Sequence, residues 1–96
     1  MSITTITQIS VQAGRLRQFL ALIEANAAET RGFPGCISFD YLTNPENPDQ
    51  VVFIEVWDSE GAQESYLHAR VADGSMDKLG AFFSGPPVTS ILQPAD

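Results

Sequence analysis

The side chain with the clearest chemical potential in this 96-residue chain is Glu55, a carboxylate within the apolar segment VVFIEVW at residues 51–57. Phe53 and Trp57 lie two positions away on either side, so an extended strand points all three side chains to the same face. A carboxylate in such surroundings costs free energy unless it is paired. Glu55 is therefore either ion-paired to an arginine or to a group of a partner subunit, or an acid of raised pKa in a cavity.

Other polar and aromatic groups could complete a site around this carboxylate. His68 is either a proton shuttle that lines a pocket or a partly exposed histidine on a helix. Trp57 is either an aromatic pocket wall or a residue of the core or its rim. Gln8 and Tyr66 could face a cavity between sheet and helices, or could be polar core groups satisfied by hydrogen bonds.

The single cysteine, Cys36, and the single histidine, His68, limit the remaining chemistry. Without a local sequence signature, a buried structural cysteine is a better interpretation than a nucleophile–base pair of these two residues. One cysteine and one histidine cannot build a thiolate–imidazole metal site, so no metal is expected. The sequence also lacks the GxGxxG and GxxxxGK[ST] nucleotide loops and the GxSxG elbow.

Composition predicts one small soluble domain over residues 1–96, because 44% of the residues are hydrophobic and 18% are charged. The net charge is −7, and the five Lys and Arg residues are scattered, so neither nucleic acid nor an anionic membrane is an expected partner. A signal-peptide pattern and a spanning apolar run are both missing. With one cysteine and no intrachain disulfide possible, we expect a cytoplasmic protein.

Hydrophobic periodicity predicts the elements that position these side chains. Alternation indicates strands, and apolar residues at spacings of three and four indicate helices. A turn-rich segment joins the two middle strands as an antiparallel hairpin. The predicted order is a strand over 2–11, a helix over 15–31 ending at Gly32, a strand over 36–43, a turn over 44–49, a strand over 51–57, a helix from Asp58 or Ser59 to about Arg70, a helical piece holding Met76, Leu79, Phe82 and Phe83, and a strand over 88–92.

Alternation also predicts the face on which each strand residue lies. In the first strand, Ile9 lies on one face and Gln8 on the other, and in the second strand Ile37 shares a face with Phe39. The element order βαββαβ predicts an α+β, ferredoxin-like fold with a four-stranded antiparallel sheet and both helices on one side. Segment 51–57 is apolar on both sides, which predicts that a second copy of the sheet covers the other face in a homodimer.

Three segments resemble the antibiotic biosynthesis monooxygenase family, especially its quinol monooxygenase-like members: PGCI at 34–37, FIEVWDSEGAQESYLHA at 53–69 and SILQP at 90–94. The resemblance implies a dimeric α+β barrel, in which two sheets pack face to face and each subunit has a cleft between sheet and helices. Some members of this family oxygenate quinols, anthrones or related phenols with dioxygen and without flavin or metal, so the resemblance implies that this chemistry is possible here. Other members degrade haem.

Several positions depart from the family pattern. Quinol-type members often carry histidines at the positions of Tyr66 and Val71. His68 is displaced from both positions around the helix and does not simply replace them. Haem-degrading members carry a pattern of Asn, Trp and His. The corresponding positions here look like Gln8, Tyr66 and Met76. Without that histidine haem iron has no axial ligand, so haem degradation is not expected.

The leading hypothesis is a monooxygenase that needs no cofactor and oxidises a small aromatic quinol- or phenol-type substrate with dioxygen. An apolar pocket would hold the ring, and a polar group would favour the phenolate. The alternative is a non-catalytic or stress-related dimer that binds a small ligand in the same cleft, and a filled cleft in a purely structural dimer is a third possibility. The candidate catalytic residues are Tyr66, His68 and Gln8, and the candidate substrate-binding residues are Trp57, Phe53, Glu55 and Phe83.

Overall fold

The computed structural model describes residues 1–95 and confirms the predicted βαββαβ order, with the second helix divided in two. No helix in this range is long and apolar enough to cross a membrane. The elements are β1 Ile3–Ser10, α1 Leu16–Arg31, β2 Cys36–Asn44, β3 Asn47–Trp57, α2 Glu60–Ala72, α3 Ser75–Gly80 and β4 Val88–Leu92.

The four strands form one antiparallel sheet in the order β2-β3-β1-β4, so β1 and β3 lie at its centre. The pairing of Ile9 with Val51 places the odd-numbered positions of these two strands on one face. The helices cover that face, because the buried core joins Ile9 and Val51 to Phe19 of α1. We call it the helix-covered face. The fold is α+β and ferredoxin-like, as the sequence predicts.

Phe19 lies at the centre of the core and is fully buried. Its ring stacks on Phe53 of β3 with centroids 6.3 Å apart, and Phe82 and Phe83 pack against it at 5.6 and 6.4 Å. Each aromatic side chain of this kind buries about 150–250 Å² and contributes strongly to stability. This end of the helix-covered face is therefore closely packed.

The helix α1 forms where apolar residues recur at spacings of three and four, and its buried residues include Phe19 and Ile23. It ends at Gly32, whose N–H donates to the carbonyl oxygen of Ala28 at 3.0 Å. The backbone of Gly32 is right-handed, so the residue ends the helix without a left-handed turn. Pro34 follows two residues later and cannot continue the helix.

The start of α2 is fixed by a cap and by a close backbone approach. Ser59 Oγ accepts a hydrogen bond from the N–H of Ala62 at 3.1 Å, which confirms one of the two predicted caps. Gly35 precedes β2 with φ +89, and a Cβ there would collide with Ala62 and with Oδ1 of Asp58. The Asp58 N–H also donates to the Gly35 carbonyl at 2.8 Å. These contacts hold α2 against the sheet.

The strand β2 contains an irregularity that alternation did not predict. Its pairing with β3 shifts register between Cys36 and Ser38. Ile37 is the inserted residue and is 60% exposed, so the prediction that Ile37 shares a face with Phe39 is wrong. Phe39 itself is buried, as predicted.

The helix α3 is shorter than the predicted helical piece. It spans Ser75–Gly80, so Phe82 and Phe83 lie beyond its end. Phe83 instead forms an isolated antiparallel bridge with Val11. These two phenylalanines therefore reach the core from an irregular segment rather than from a helix.

The other face of the sheet carries the even-numbered positions of β1 and β3, and we call it the open face. Ile6 and Ile54 pair at its centre. Leu42, Val88 and Leu92 lie towards its edges and are 50%, 61% and 48% exposed. The residues of the open face are Thr4, Ile6, Gln8, Ser38, Asp40, Leu42, Val52, Ile54, Val56, Val88, Ser90 and Leu92.

Candidate active site

A cavity of about 100 Å³ lies on the helix-covered face, between the sheet and the three helices. Every helix and the two strands β2 and β3 contribute to its wall. The cavity adjoins the packed phenylalanines, because Phe53 both lines it and stacks on Phe19. Its lining residues are Leu22, Ile23, Asn26 and Thr30 from α1, Phe39, Phe53 and Glu55 from the sheet, Tyr66 and Arg70 from α2, and Ser75, Met76, Lys78 and Leu79 from α3.

Glu55 contributes a half-buried carboxylate to this cavity. Its Oε1 accepts hydrogen bonds from Trp57 Nε1 at 3.1 Å and from Thr5 Oγ1 at 3.4 Å. No arginine or lysine within residues 1–95 forms a salt bridge with it. Burial raises the pKa of the carboxyl, and the two hydrogen bonds oppose that rise only in part. From the sequence, Glu55 is either an ion-paired carboxylate or an acid of raised pKa in a cavity. Within one chain, Glu55 matches the second interpretation.

Tyr66 lies on the α2 side of the cavity with its hydroxyl group already oriented. The hydroxyl shares a hydrogen bond of 2.9 Å with Thr30 Oγ1 on α1. The ring packs against Trp57 and Phe33 at centroid distances of 4.9 and 5.3 Å. Burial is the main cause that raises the pKa of this phenol, so Tyr66 is a neutral hydrogen-bonding group at neutral pH.

Arg70 is the cation next to Tyr66, and its side chain is only 10% exposed. Its Nη2 contacts Glu29 Oε1 at 3.0 Å and Asp73 Oδ2 at 3.1 Å, so two carboxylates balance its charge. The guanidinium carbon lies 5.5 Å from the centroid of the Tyr66 ring. Arg70 Nε is the one buried side-chain nitrogen or oxygen within residues 1–95 that has no hydrogen-bond partner.

The structure brings three of the seven predicted site residues to the cavity: Phe53, Glu55 and Tyr66. Trp57 is fully buried and lies behind the wall, where its ring supports Tyr66 and its N–H holds Glu55. Of the two interpretations from sequence, Trp57 matches the core residue rather than the pocket wall, and it contacts the site through these two residues. The role of each residue in the site stays a prediction.

The structure places the other three predicted residues elsewhere. Gln8 is exposed on the open face, so the prediction that it faces a cavity under the helices is wrong. His68 is exposed on α2, because two residues correspond to about 200° around a helix and turn it away from the side of Tyr66. Phe83 does not line the cavity, because it packs against Phe19 and bridges to Val11.

Sequence reasoning missed Arg70 and Thr30 as members of the site. The spacing of Arg70 from Tyr66 is four residues, which places both on one side of α2. The sequence therefore carried a signal for Arg70. Thr30 lies near the end of α1, and no pattern in the sequence indicates that it meets α2.

Comparison with known proteins places this site in a family context. The family model for antibiotic biosynthesis monooxygenase matches residues 2–73. No curated protein matches at a significant level. Among solved structures, Rv0793 from Mycobacterium tuberculosis is 20% identical with a TM-score of 0.87, and the match covers 100% of this chain and 97% of that one.

Two further solved structures have the same fold. A conserved protein from Methanosarcina mazei is 19% identical with a TM-score of 0.88, and the match covers 97% of this chain and 92% of that one. SnoaB from Streptomyces nogalater, a cofactor-independent oxygenase, is 18% identical with a TM-score of 0.85, with 99% and 94% covered. Because the family model spans well over half of the sequence, this chain belongs to the antibiotic biosynthesis monooxygenase family.

Proposed function

We propose that this protein is a monooxygenase that needs no cofactor and oxidises a small phenol- or quinol-type substrate with dioxygen. The observation that carries the proposal is a cavity in which apolar walls meet a carboxylate that has no ion-pair partner within residues 1–95. Membership of a monooxygenase family supports the reaction type. A neighbour of the same fold, SnoaB, is a cofactor-independent oxygenase.

The size of the cavity supports a substrate with one ring. A dry apolar cavity of roughly 150 Å³ can hold benzene. The present cavity of about 100 Å³ is of similar order, and the exposed residues Asn26 and Lys78 are part of its lining. Phe39 and Phe53 would contact the faces and edge of the ring.

The proposed reaction balances with dioxygen as its only co-reactant. A phenol that becomes a quinone gains one oxygen atom from O₂. The second oxygen atom leaves as water with the two hydrogen atoms that the substrate loses. The substrate supplies all four electrons, so no external reductant is required. The protein must hold the ring, favour its phenolate and exclude bulk water.

Tyr66 is proposed to hold the substrate oxygen. Its hydroxyl can accept one hydrogen bond and donate another, and Thr30 occupies one of these positions. The remaining position is available to a ligand in the cavity. Packing against Trp57 and the guanidinium of Arg70 fixes the ring, so little reorganisation is needed when substrate binds.

Oxygen uptake with a panel of single-ring quinols and phenols tests this function. We expect uptake above the autoxidation rate for wild type and a loss of about tenfold or more for Tyr66→Phe, which removes one hydrogen bond. Tyr41→Phe is the matched control, because Tyr41 lies outside the cavity lining. Uptake no faster than autoxidation across the panel would contradict the proposal.

A non-catalytic ligand-binding module is the second candidate, and the replacement of family histidines by Tyr66 and Val71 favours it. The cavity would then hold a small apolar ligand without turnover. A ligand that raises the melting temperature and is recovered unchanged under oxygen would support this candidate. Conversion of the same ligand would support the oxygenase.

The proposed assembly is a homodimer in which the open faces of two copies pack together. The central pair Ile6 and Ile54 is apolar, and Leu42, Val88 and Leu92 are each about half exposed or more. Exposed apolar side chains that share one face of a sheet with polar ones are typical of an interaction site. A two-fold contact would make the same residues meet their equivalents in the second copy.

A further inference from the structure

We propose that Glu55 is the proton acceptor of the reaction, through its Oε2 atom, and that Trp57 and Thr5 are positioning residues that hold Oε1. The inference rests on the proposed function and names the group that ionises the substrate. It also defines the substrate class: an aromatic molecule with a free hydroxyl group that can reach this carboxylate.

The two oxygen atoms of Glu55 have different surroundings. Oε1 accepts both hydrogen bonds, from Trp57 Nε1 at 3.1 Å and from Thr5 Oγ1 at 3.4 Å. Oε2 has no hydrogen-bond partner within residues 1–95. It is nevertheless accessible, because Arg70 Nε is the one side-chain nitrogen or oxygen in that range that is both buried and without a partner. Since Glu55 lines the cavity, Oε2 is the carboxylate oxygen that a ligand there can contact.

The carboxylate is also held rigidly. Glu55 lies on the central strand β3, directly between Phe39 of β2 and Thr5 of β1. Thr5 is 2% exposed and Trp57 is fully buried, so both donors are fixed by packing. A base held within hydrogen-bond reach of a bound hydroxyl contributes more than a mobile one. These donors orient the carboxylate without themselves touching the substrate.

The charges around Glu55 favour proton uptake. The titratable groups that face it are Cys36 on β2 and Tyr66 on α2, whose pKa values are both raised, in each case chiefly by burial. Two cations line the same cavity: Arg70 on α2 is already bonded to Glu29 and Asp73, and Lys78 on α3 forms no salt bridge with Glu55. No salt bridge within residues 1–95 therefore holds the carboxylate in its charged form. A carboxyl with a raised pKa is a better match for a general base near neutral pH.

The proton transfer balances as follows. The O–H bond of the substrate breaks, an O–H bond forms at Oε2 of Glu55, and the electron pair stays on the substrate oxygen. The product is a phenolate beside a neutral carboxylic acid, so two negative charges never coexist in the cavity. The phenolate then transfers electrons to dioxygen, and the proton on Glu55 leaves with the water that forms.

The first test measures steady-state oxygen uptake of Glu55→Gln against a series of phenols of decreasing pKa. Glutamine keeps the shape and can still accept at one oxygen, but it cannot take the proton. We expect kcat to fall about 100-fold or more with KM nearly unchanged. The loss should shrink as the phenol becomes more acidic, because a substrate that is already ionised needs no base.

Two controls separate this role from a structural one. Glu24→Gln removes an exposed carboxylate of α1 outside the cavity and should leave kcat and KM unchanged. Trp57→Phe keeps an aromatic ring but removes the N–H that lowers the pKa of Glu55. It should move the acidic limb of the kcat/KM profile to higher pH. Equal losses of Glu55→Gln across the phenol series would overturn the inference.

The second test does not need turnover. Binding of 4-nitrophenol is followed by the absorbance of its phenolate, at a pH where the free molecule is mostly neutral. We expect the phenolate band to grow on binding to wild type and to stay absent with Glu55→Gln. Identical spectra for both proteins would overturn the inference even if wild type consumes oxygen. A Glu55-dependent band without oxygen uptake by any phenol would overturn the proposed oxygenase alone, and no binding at all would overturn both.

Discussion

The two faces of the sheet use the same four strands for different purposes. On the helix-covered face, a packed core surrounds Phe19, and a cavity lined by Glu55 adjoins it. On the open face, the even-numbered positions carry apolar side chains such as Ile54 that remain partly exposed. The polar groups that could do chemistry therefore lie under the helices, although the open face is the more accessible one.

This difference teaches that exposure alone does not identify a site. Gln8 is accessible but lies on the open face, among side chains that suit association. Glu55 is half-buried and lines a cavity, yet its environment raises its pKa and leaves one of its oxygens without a hydrogen-bond partner within residues 1–95. The burial that makes a carboxylate costly also makes it reactive.

The largest effect is expected at the packed end of the helix-covered face. Phe19→Ala removes a fully buried ring that contacts three other phenylalanines, so it should lower the free energy of unfolding by about 3–5 kcal/mol. Urea denaturation followed by circular dichroism measures this change. Val71→Ala, at a residue that is 64% exposed, is the control and should change stability little. A small loss for Phe19→Ala would show that this end is not closely packed.

The next effect is expected on the open face. Ile54→Lys would place a charge at the centre of the proposed dimer contact, and the two-fold axis would bring two such charges near each other. We expect dimer stability to fall by at least about 2 kcal/mol, which corresponds to more than a tenfold rise in Kd. Analytical ultracentrifugation of wild type and of the control Val71→Lys checks this. A monomeric wild type, or an unchanged dimer of Ile54→Lys, would contradict the proposed contact.

The smallest effect is the pH dependence of stability that Glu55 causes. Burial raises its folded-state pKa above the usual 4.5, so the folded protein holds this proton more tightly than the unfolded chain does. The resulting stabilisation is complete below the unfolded pKa and is lost as pH rises through the folded pKa. Glu55→Gln lacks this dependence.

Melting curves of wild type and Glu55→Gln between pH 4 and 8 measure that difference. We expect wild type to lose stability relative to the variant as pH rises, so that the variant is the more stable protein at neutral pH. Other carboxyls, including Asp73 with its lowered pKa, contribute equally to the pH dependence of stability in both proteins, so their contributions cancel in the difference. A constant difference across the range would mean that Glu55 titrates alike in both states.

The order of the elements and some of their bounds could be predicted from the sequence, because they depend on local signals. The predicted turn over 44–49 is wrong in extent, since β2 runs to Asn44 and β3 begins at Asn47. The period of three and four stops at Gly32, the cap at Ser59 starts the next helix, and the last strand matches 88–92. The irregular positions could not be predicted. Ile37 is displaced by a shift in strand pairing, which depends on how β2 meets β3 rather than on alternation within β2.

The sequence by itself determined that segment 51–57 is apolar on both faces, that Glu55 shares one of those faces with Phe53 and Trp57, and that the chain resembles one family. Only the tertiary structure decided that Glu55 lacks a cationic partner within residues 1–95. That outcome depends on Arg70, which the packing of α2 against α1 pairs with Glu29 instead. Periodicity assigns a side chain to a face, but the partners that set its pKa come from distant segments, and only the packed fold brings them together.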